Sequence, residues 1–395
     1  MDDIKWPKRL NALDLSRGIA SLGVVLWHWE QFSYSGISSP NDFDRACLPW
    51  YSTFRIFYDY GGLGVDYFFI LSGFIFFWLY RPSIEDGSTT FRNFWVQRIS
   101  RLYPLHFTTL VIVALLQMVY LAKQGSVFVY PKNDLYHFCL NLVFASKWGF
   151  EEGMSFNGPV WSVSIEILLY FIFFLIAIVR MGQLVSCFTV SVLSFVLSLF
   201  SHYTFFSAVS VFFLGGGVFH VTRLVPDGAR KIKGTIYVIT MLSWILTVVN
   251  LYIIDLTTMI PISNLSKIIQ MGFSSYVLFP LTVFSLARIE IDRGIGFLKS
   301  VSWIGDITYS SYLLHFPLQL IFGLAVGYGI LSSDFYTRPV YLAIFFAILI
   351  PLSHLTFSHF ERPVQNMIRN KFRTVIKVQT VGPHDGNSKS TSDFN

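Results

Sequence analysis

Residues 61–80 read GGLGVDYFFILSGFIFFWLY, twenty residues with a single charge, Asp66. About twenty helical residues cross the hydrocarbon of a bilayer, so its stretch at about 62–80 is long and apolar enough to span one. Working outward, similar windows recur at about 13–33, 104–122, 159–180, 183–200, 203–221, 235–254, 267–287, 302–325 and 338–360. The reading is an all-α polytopic membrane protein of about ten transmembrane helices. Segment 133–146 is apolar but too short to cross, and reads as interfacial or re-entrant. Composition agrees: of the 395 residues 53% are apolar and 13% charged, against about 25% charged in ordinary soluble domains. Those proportions exclude a disordered chain, a coiled coil and a typical soluble enzyme. The basic balance, pI 9.1, fits Lys and Arg gathered on cytoplasmic loops rather than nucleic-acid binding.

Placing the N-terminus inside puts 22 of the 29 Lys and Arg on cytoplasmic segments and 7 outside. This asymmetry supports ten spans with both termini cytoplasmic. The first span carries Asp14, Arg17 and His28, so it is not read as a cleavable signal peptide. The organisation expected is a membrane domain over 1–365 and a cytoplasmic tail over 366–395, basic at first and disordered from 378. Three cysteines at unrelated spacings exclude a disulfide scaffold and a zinc site. Cys47 and Cys139 both fall outside, so a bridge between them is left open for an oxidising compartment, since sequence does not show that they meet.

Charge at membrane depth is expensive and tends to mark function. Arg17 and His28 lie eleven residues apart, three helical turns plus about 20°, and share one stripe with Asp14 and Ser21. Asp66 and Glu166, entering from the outside on the second and fourth spans, reach depths compatible with His28. Ser162 shares a helix face with Glu166, and Trp161 precedes it. Arg98 and Arg101 share one face of a basic cytoplasmic segment, a pair of planar forks suited to phosphate. His315 sits mid-membrane in the ninth span, with Pro317 freeing backbone carbonyls nearby. Each group also has an ordinary structural role open to it: a snorkelling arginine, a helix-capping Asp, a kink-associated histidine. Arginines thus collect at the inner end, and imidazole and carboxylates in the outer half.

Five stretches, in order, resemble signatures of the membrane-bound acyltransferase-3 family. They are Arg17 with His28, Gly64–Gly73, Arg98-Ile99-Ser100-Arg101, Trp161–Glu166 and Ser310–His315. The resemblance runs from about 10 to 365. It implies a ten-helix domain that O-acylates cell-surface or exported carbohydrates, commonly with acetyl-CoA as co-substrate and no bound cofactor or metal. It implies that Arg17 and His28 form the essential pair and that Arg98 and Arg101 serve the acyl-CoA. One departure is Ile167, where many members carry a second acidic residue after Glu166. The mechanism expected has Arg17, Arg98 and Arg101 holding the donor and His28 acting as base or acyl carrier. Asp66 or Glu166 would fix the His28 tautomer, and Ser162, Trp161 and His315 would serve the acceptor or the structure. The partners expected are acyl-CoA, a carbohydrate or glycolipid and the bilayer, in a bacterial inner or plasma membrane. The alternatives are a transporter or flippase using the same groups as a relay, and a non-catalytic glycan-export subunit.

Overall fold

In the computed structural model the described residues are 6–34, 43–201, 203–254, 263–294 and 296–380. Among them there is no strand. The longer helices are α1 (Asn11–Trp27), α2 (Tyr51–Tyr60), α3 (Gly64–Leu79), α4 (Phe91–Gln124), α5 (Leu135–Leu142), α6 (Trp161–Ile178) and α7 (Leu184–Phe200). They continue with α8 (Thr204–Leu224), α9 (Arg230–Val249), α10 (Ser263–Phe273), α11 (Phe279–Arg293), α12 (Thr308–Gly327), α13 (Pro339–Thr356) and α14 (Arg362–Thr380).

Among the described residues, eight helical stretches are long and apolar enough to cross a membrane. The other two of the ten expected positions hold α1 and α7, each 17 residues long. Helix α1 is less apolar because it begins with Asn11, Asp14 and Arg17, and it continues past Trp27 as a 3-10 turn over His28–Ser33. The second span starts earlier than the apolar run suggests: α2 leads through a 3-10 turn at Gly61–Leu63 directly into α3. Large apolar side chains such as Met118, Val185, Phe200 and Ile245 face outward. In water they would be destabilising, whereas in lipid they are at home. The chain is a multi-pass membrane protein. Segment 133–146 forms the eight-residue α5, which is too short to cross and turns His137 and Asn141 inward.

An aromatic core joins α3, α4, α6 and α8 through Phe74, Phe76, Phe77, Phe94, Phe173, Phe212 and Phe213. Without a hydrophobic drive between helices in lipid, close packing of small residues decides how they cross. Here α3 and α8 meet backbone to backbone. A Cβ on Gly73 would lie 1.8 Å from the Phe212 carbonyl oxygen, and one on Gly215 2.0 Å from that of Ile70.

The end of the chain departs from the tail expected. Helix α14 carries the basic segment to Thr380 and packs on α4: Arg369 donates to the Gln97 carbonyl and the Ser100 hydroxyl, and Arg92 lies over the Phe372 ring. Of the stretch 378–395 expected to be disordered, 378–380 belong to this helix and the residues from 381 onward lie outside the described residues. Cys47 and Cys139 are separate, exposed thiols, not the bridge considered from their common side.

Candidate active site

Helix α1 and the segment 302–315 run in the same direction and touch in register. Backbones meet at one end, where a Cβ on Gly305 would sit 2.3 Å from the Asp14 carbonyl oxygen. The Arg17 guanidinium donates to the Gly305 carbonyl at 2.7 Å and pairs with Asp14 at 3.0 Å. Arg9 bridges Asp14 and Asp306. Further along, the Ser21 and Ser311 hydroxyls lie 3.1 Å apart, and beyond them the His28 and His315 rings are 4.9 Å apart between centroids. The stripe that carries Asp14, Arg17, Ser21 and His28 on α1 is therefore the seam against α12. Parallel packing of the first and ninth spans also matches their both entering from one side, as the alternation of ten spans requires.

At the arginine end lies a cavity of about 280 Å³ lined by Arg17, Arg98, Arg101, Ser162, Glu166, Tyr170, Tyr309 and Tyr312. Arg98 is buried and fixed: its fork donates to the Tyr80 hydroxyl and stacks 4.3 Å from the Tyr80 ring and 5.3 Å from that of Phe76. Stacking holds a planar guanidinium in one orientation, which a flexible ammonium would not allow. Arg101 makes no hydrogen bond among the described residues, and its electrostatic neighbours are Tyr170, Glu361 and Glu166. Guanidinium groups so placed, Arg101 among them without a hydrogen bond among the described residues, can hold an anion, although Asp14 and Glu166 share the wall.

At the far end the His28 ring is almost wholly buried, and its Nδ1 lies 3.0 Å from the Val24 carbonyl oxygen. A carbonyl can only accept, so Nδ1 carries the proton and Nε2 keeps its lone pair. The same logic applies to His315, whose Nδ1 lies 2.6 Å from the Tyr312 carbonyl. Tyr312 links the two ends. Its hydroxyl meets Ser162 Oγ at 2.9 Å on the cavity wall, and its carbonyl holds His315.

Two carboxylates fall elsewhere than expected. Asp66 accepts from Ser275 Oγ at 2.6 Å, and Glu166 accepts from the Tyr170 hydroxyl within the arginine cavity. Among the described residues neither is hydrogen-bonded to His28. The orienting role given to a carboxylate is filled by the Val24 carbonyl, one helical turn back on the same helix. Residue counting set the depth of Asp66 and Glu166 but not the side of the helix each presents. Trp161 packs against the aromatic core.

Two residues escaped the sequence reading. Glu361, buried, accepts from Ser310 Oγ at 2.6 Å and faces Arg101 and Arg17. It closes a π-helical turn over Phe357–Glu361 that turns it into the bundle, and such turns are common at functional sites. Arg369, read as tail, lies beside Arg98 and Arg101. The available signal was a lone acidic residue ending an apolar span. Among the described residues no three His, Cys, Asp or Glu side chains are grouped to hold a metal.

Residues 10–357 match the acyltransferase domain of the acyltransferase-3 family. The chain belongs to that family. A Staphylococcus aureus (strain COL) protein whose name proposes O-acetyltransferase activity is 24% identical over 349 residues, 80% of this chain and 51% of that protein. The acyltransferase MdmB of Streptomyces mycarofaciens is 32% identical over 116 residues, 29% of this chain and 27% of its own length. A Rhizobium radiobacter protein known as protein 2 in the picA locus is 34% identical over 108 residues, 27% of this chain and 46% of that protein. The matches thus span about half of the staphylococcal relative and about a quarter of the Streptomyces one. No solved structure matches.

Proposed function

We propose that this acyltransferase-3 protein is a membrane O-acyltransferase that moves an acyl group, acetyl in the family's common form, from acyl-CoA to a hydroxyl of a carbohydrate. The observation that carries the reading is the seam of α1 on α12, with an arginine-walled cavity at one end and His28, its Nε2 lone pair uncommitted, at the other. In this reading Arg17, Arg98 and Arg101 hold the phosphates of the donor, and the thioester lies toward Tyr312 and His28. The His28 Nε2 takes the proton from the acceptor hydroxyl as its oxygen bonds to the thioester carbonyl carbon. The carbon–sulfur bond then breaks, and the departing thiolate recovers that proton from the imidazolium. Glu166 and Glu361 add negative charge near Arg101, and Asp66 locks α3 against Ser275. The arginine end and both termini face the cytoplasm of a bacterial cell, where acyl-CoA is made.

The test is acyl transfer by purified, stably folded His28→Gln protein. Gln fills the space and keeps a hydrogen bond but cannot accept the proton, so the rate should fall about 10²–10⁴-fold. Near-normal transfer would sink the mechanism.

A further inference from the structure

Ten buried side-chain nitrogen or oxygen atoms among the described residues lack a hydrogen-bond partner. Six of them sort by place and by chemical kind. On the arginine cavity the two are N–H donors, Arg17 Nε and Arg98 Nε. Around His28 the four are acceptors: Gln31 Oε1, Asn157 Oδ1, Gln319 Oε1 and His315 Nε2. The remaining four, on Trp95, His106, Ser146 and Arg288, belong to neither group.

Each of the four acceptors belongs to a side chain tied down by its other end. Gln319 Nε2 donates to the His28 carbonyl at 2.8 Å. His315 Nδ1 is held by the Tyr312 carbonyl at 2.6 Å. Asn157 Nδ2 donates to the Leu313 carbonyl at 3.0 Å. Gln31 Nε2 donates to the Tyr130 hydroxyl at 2.9 Å, and the Tyr130 ring lies 4.9 Å from that of Phe316. All four are thereby anchored on residues 28–31 of the first span and 312–319 of α12. Gln31 is 7% exposed, Asn157 1%, and His315 and Gln319 are fully buried. A buried acceptor left unmet is destabilising. Four on the segments that meet at the His28–His315 contact are therefore an unmet demand for hydrogen-bond donors.

We infer that Gln31, Asn157, His315 and Gln319 form the acceptor subsite, and that it selects a neutral molecule with several neighbouring hydroxyls. None of the four carries a fixed charge, so the cluster offers nothing to a carboxylate or phosphate and no counter-ion to an amine. What complements three amide oxygens and an imidazole lone pair is a set of O–H groups, as on a pyranose ring. The hydroxyl nearest His28 Nε2 is the one acylated. This rests on the O-acyl transfer reading above, and the test separates the two.

The full-length protein in nanodiscs is given acetyl-CoA, and release of free CoA thiol is followed against the concentration of methyl hexopyranosides. Glucuronate serves as the charged probe. Neutral glycosides should stimulate release and glucuronate should not. Gln31→Met and Asn157→Leu each remove an acceptor oxygen at similar volume. Each should raise the half-saturating glycoside concentration about 3–10-fold, the usual worth of one hydrogen bond, while half-saturation by acetyl-CoA stays within about two-fold. Gln31→Glu keeps an acceptor oxygen and should restore the glycoside dependence, which a packing role for Gln31 does not predict. Thiol release with unchanged glycoside dependence in both variants, a shift in acetyl-CoA alone, or a preference for glucuronate overturns the subsite and leaves the transfer reading standing. No thiol release by the unaltered protein with any glycoside overturns both.

Discussion

Replacing Gly73 by alanine drives a methyl group into the backbone of α8. Its Cβ would start 1.8 Å from the Phe212 oxygen, and alanine at Gly215 would start 2.0 Å from the Ile70 oxygen, where real Cβ contacts stay beyond 3.0 Å. Relief therefore needs α3 and α8 to part by about 1.2 Å and about 1.0 Å respectively. Neither obstacle is the tip of a flexible side chain, so the helices themselves must move. Overpacking of this kind costs about 1–3 kcal/mol, and the upper half of that range applies to a backbone obstacle. At roughly 2 °C per kcal/mol in a chain this long, each single variant should lose about 4–6 °C in thermal midpoint. Both clashes lie at one crossing, so the parting that relieves one relieves the other. The double variant should lose little beyond the worse single one, a coupling expected of neighbours and not of independent sites. Tryptophan-fluorescence melting of detergent-purified protein measures all three. A double variant that loses the full sum, or single variants as stable as the parent, would refute the account of this crossing.

Changing Arg98 and Arg101 together to alanine should abolish measurable acyl-CoA binding by the purified protein, and lysine at either position should restore it only in part, because the planar fork is lost; unchanged affinity in the double variant would remove the arginines from the donor site. Tyr80→Phe keeps the ring under Arg98 but deletes the hydroxyl that takes its hydrogen bond, so half-saturation by acyl-CoA should rise about 3–10-fold, less than for Arg98→Ala, with transfer at saturation little changed. Alkylation of the unreduced, unfolded protein followed by intact-mass analysis should find Cys47 and Cys139 both modified, as two separate thiols require; a mass two hydrogens lighter with both unmodified would show a bridge.

The eight spans long and apolar enough to cross were legible because a surface that faces lipid must be apolar, and lipid enforces this locally, residue by residue. Helix α1 was legible for the opposite reason: its polar residues recur at helical spacing, so Arg17 and His28 could be put on one face without knowing what they face. What sequence could not supply was azimuth. Asp66 turns to Ser275, 209 residues away, and Glu166 turns into the arginine cavity. Depth along a helix follows from counting, whereas direction around it depends on neighbours that the chain reaches much later. Glu361 was hidden by the inserted π turn, which rotates the end of the last span relative to an ideal helix. Arg369 was hidden because a basic run at a helix end reads equally well as a lipid-facing anchor.

The α-helical hydrogen bonding of α1 ends at Trp27, and His28 is its C-cap. The Val24 carbonyl of its last turn lies 3.0 Å from the imidazole Nδ1 and carries part of the negative end of the helix macrodipole. A cation at such a terminus is stabilised by about 0.3–1 kcal/mol on a surface and up to about 2 kcal/mol when partly buried. In the proposed reaction the ring is neutral at rest and charged only between taking the acceptor's proton and returning it to the thiolate. The field of α1 is fixed throughout, so it favours that brief imidazolium without any side chain having to move. In that reaction a seventeen-residue helix supplies, from its own peptide groups, the partial counter-charge that Asp66 and Glu166, hydrogen-bonded to Ser275 and Tyr170, do not bring to the ring.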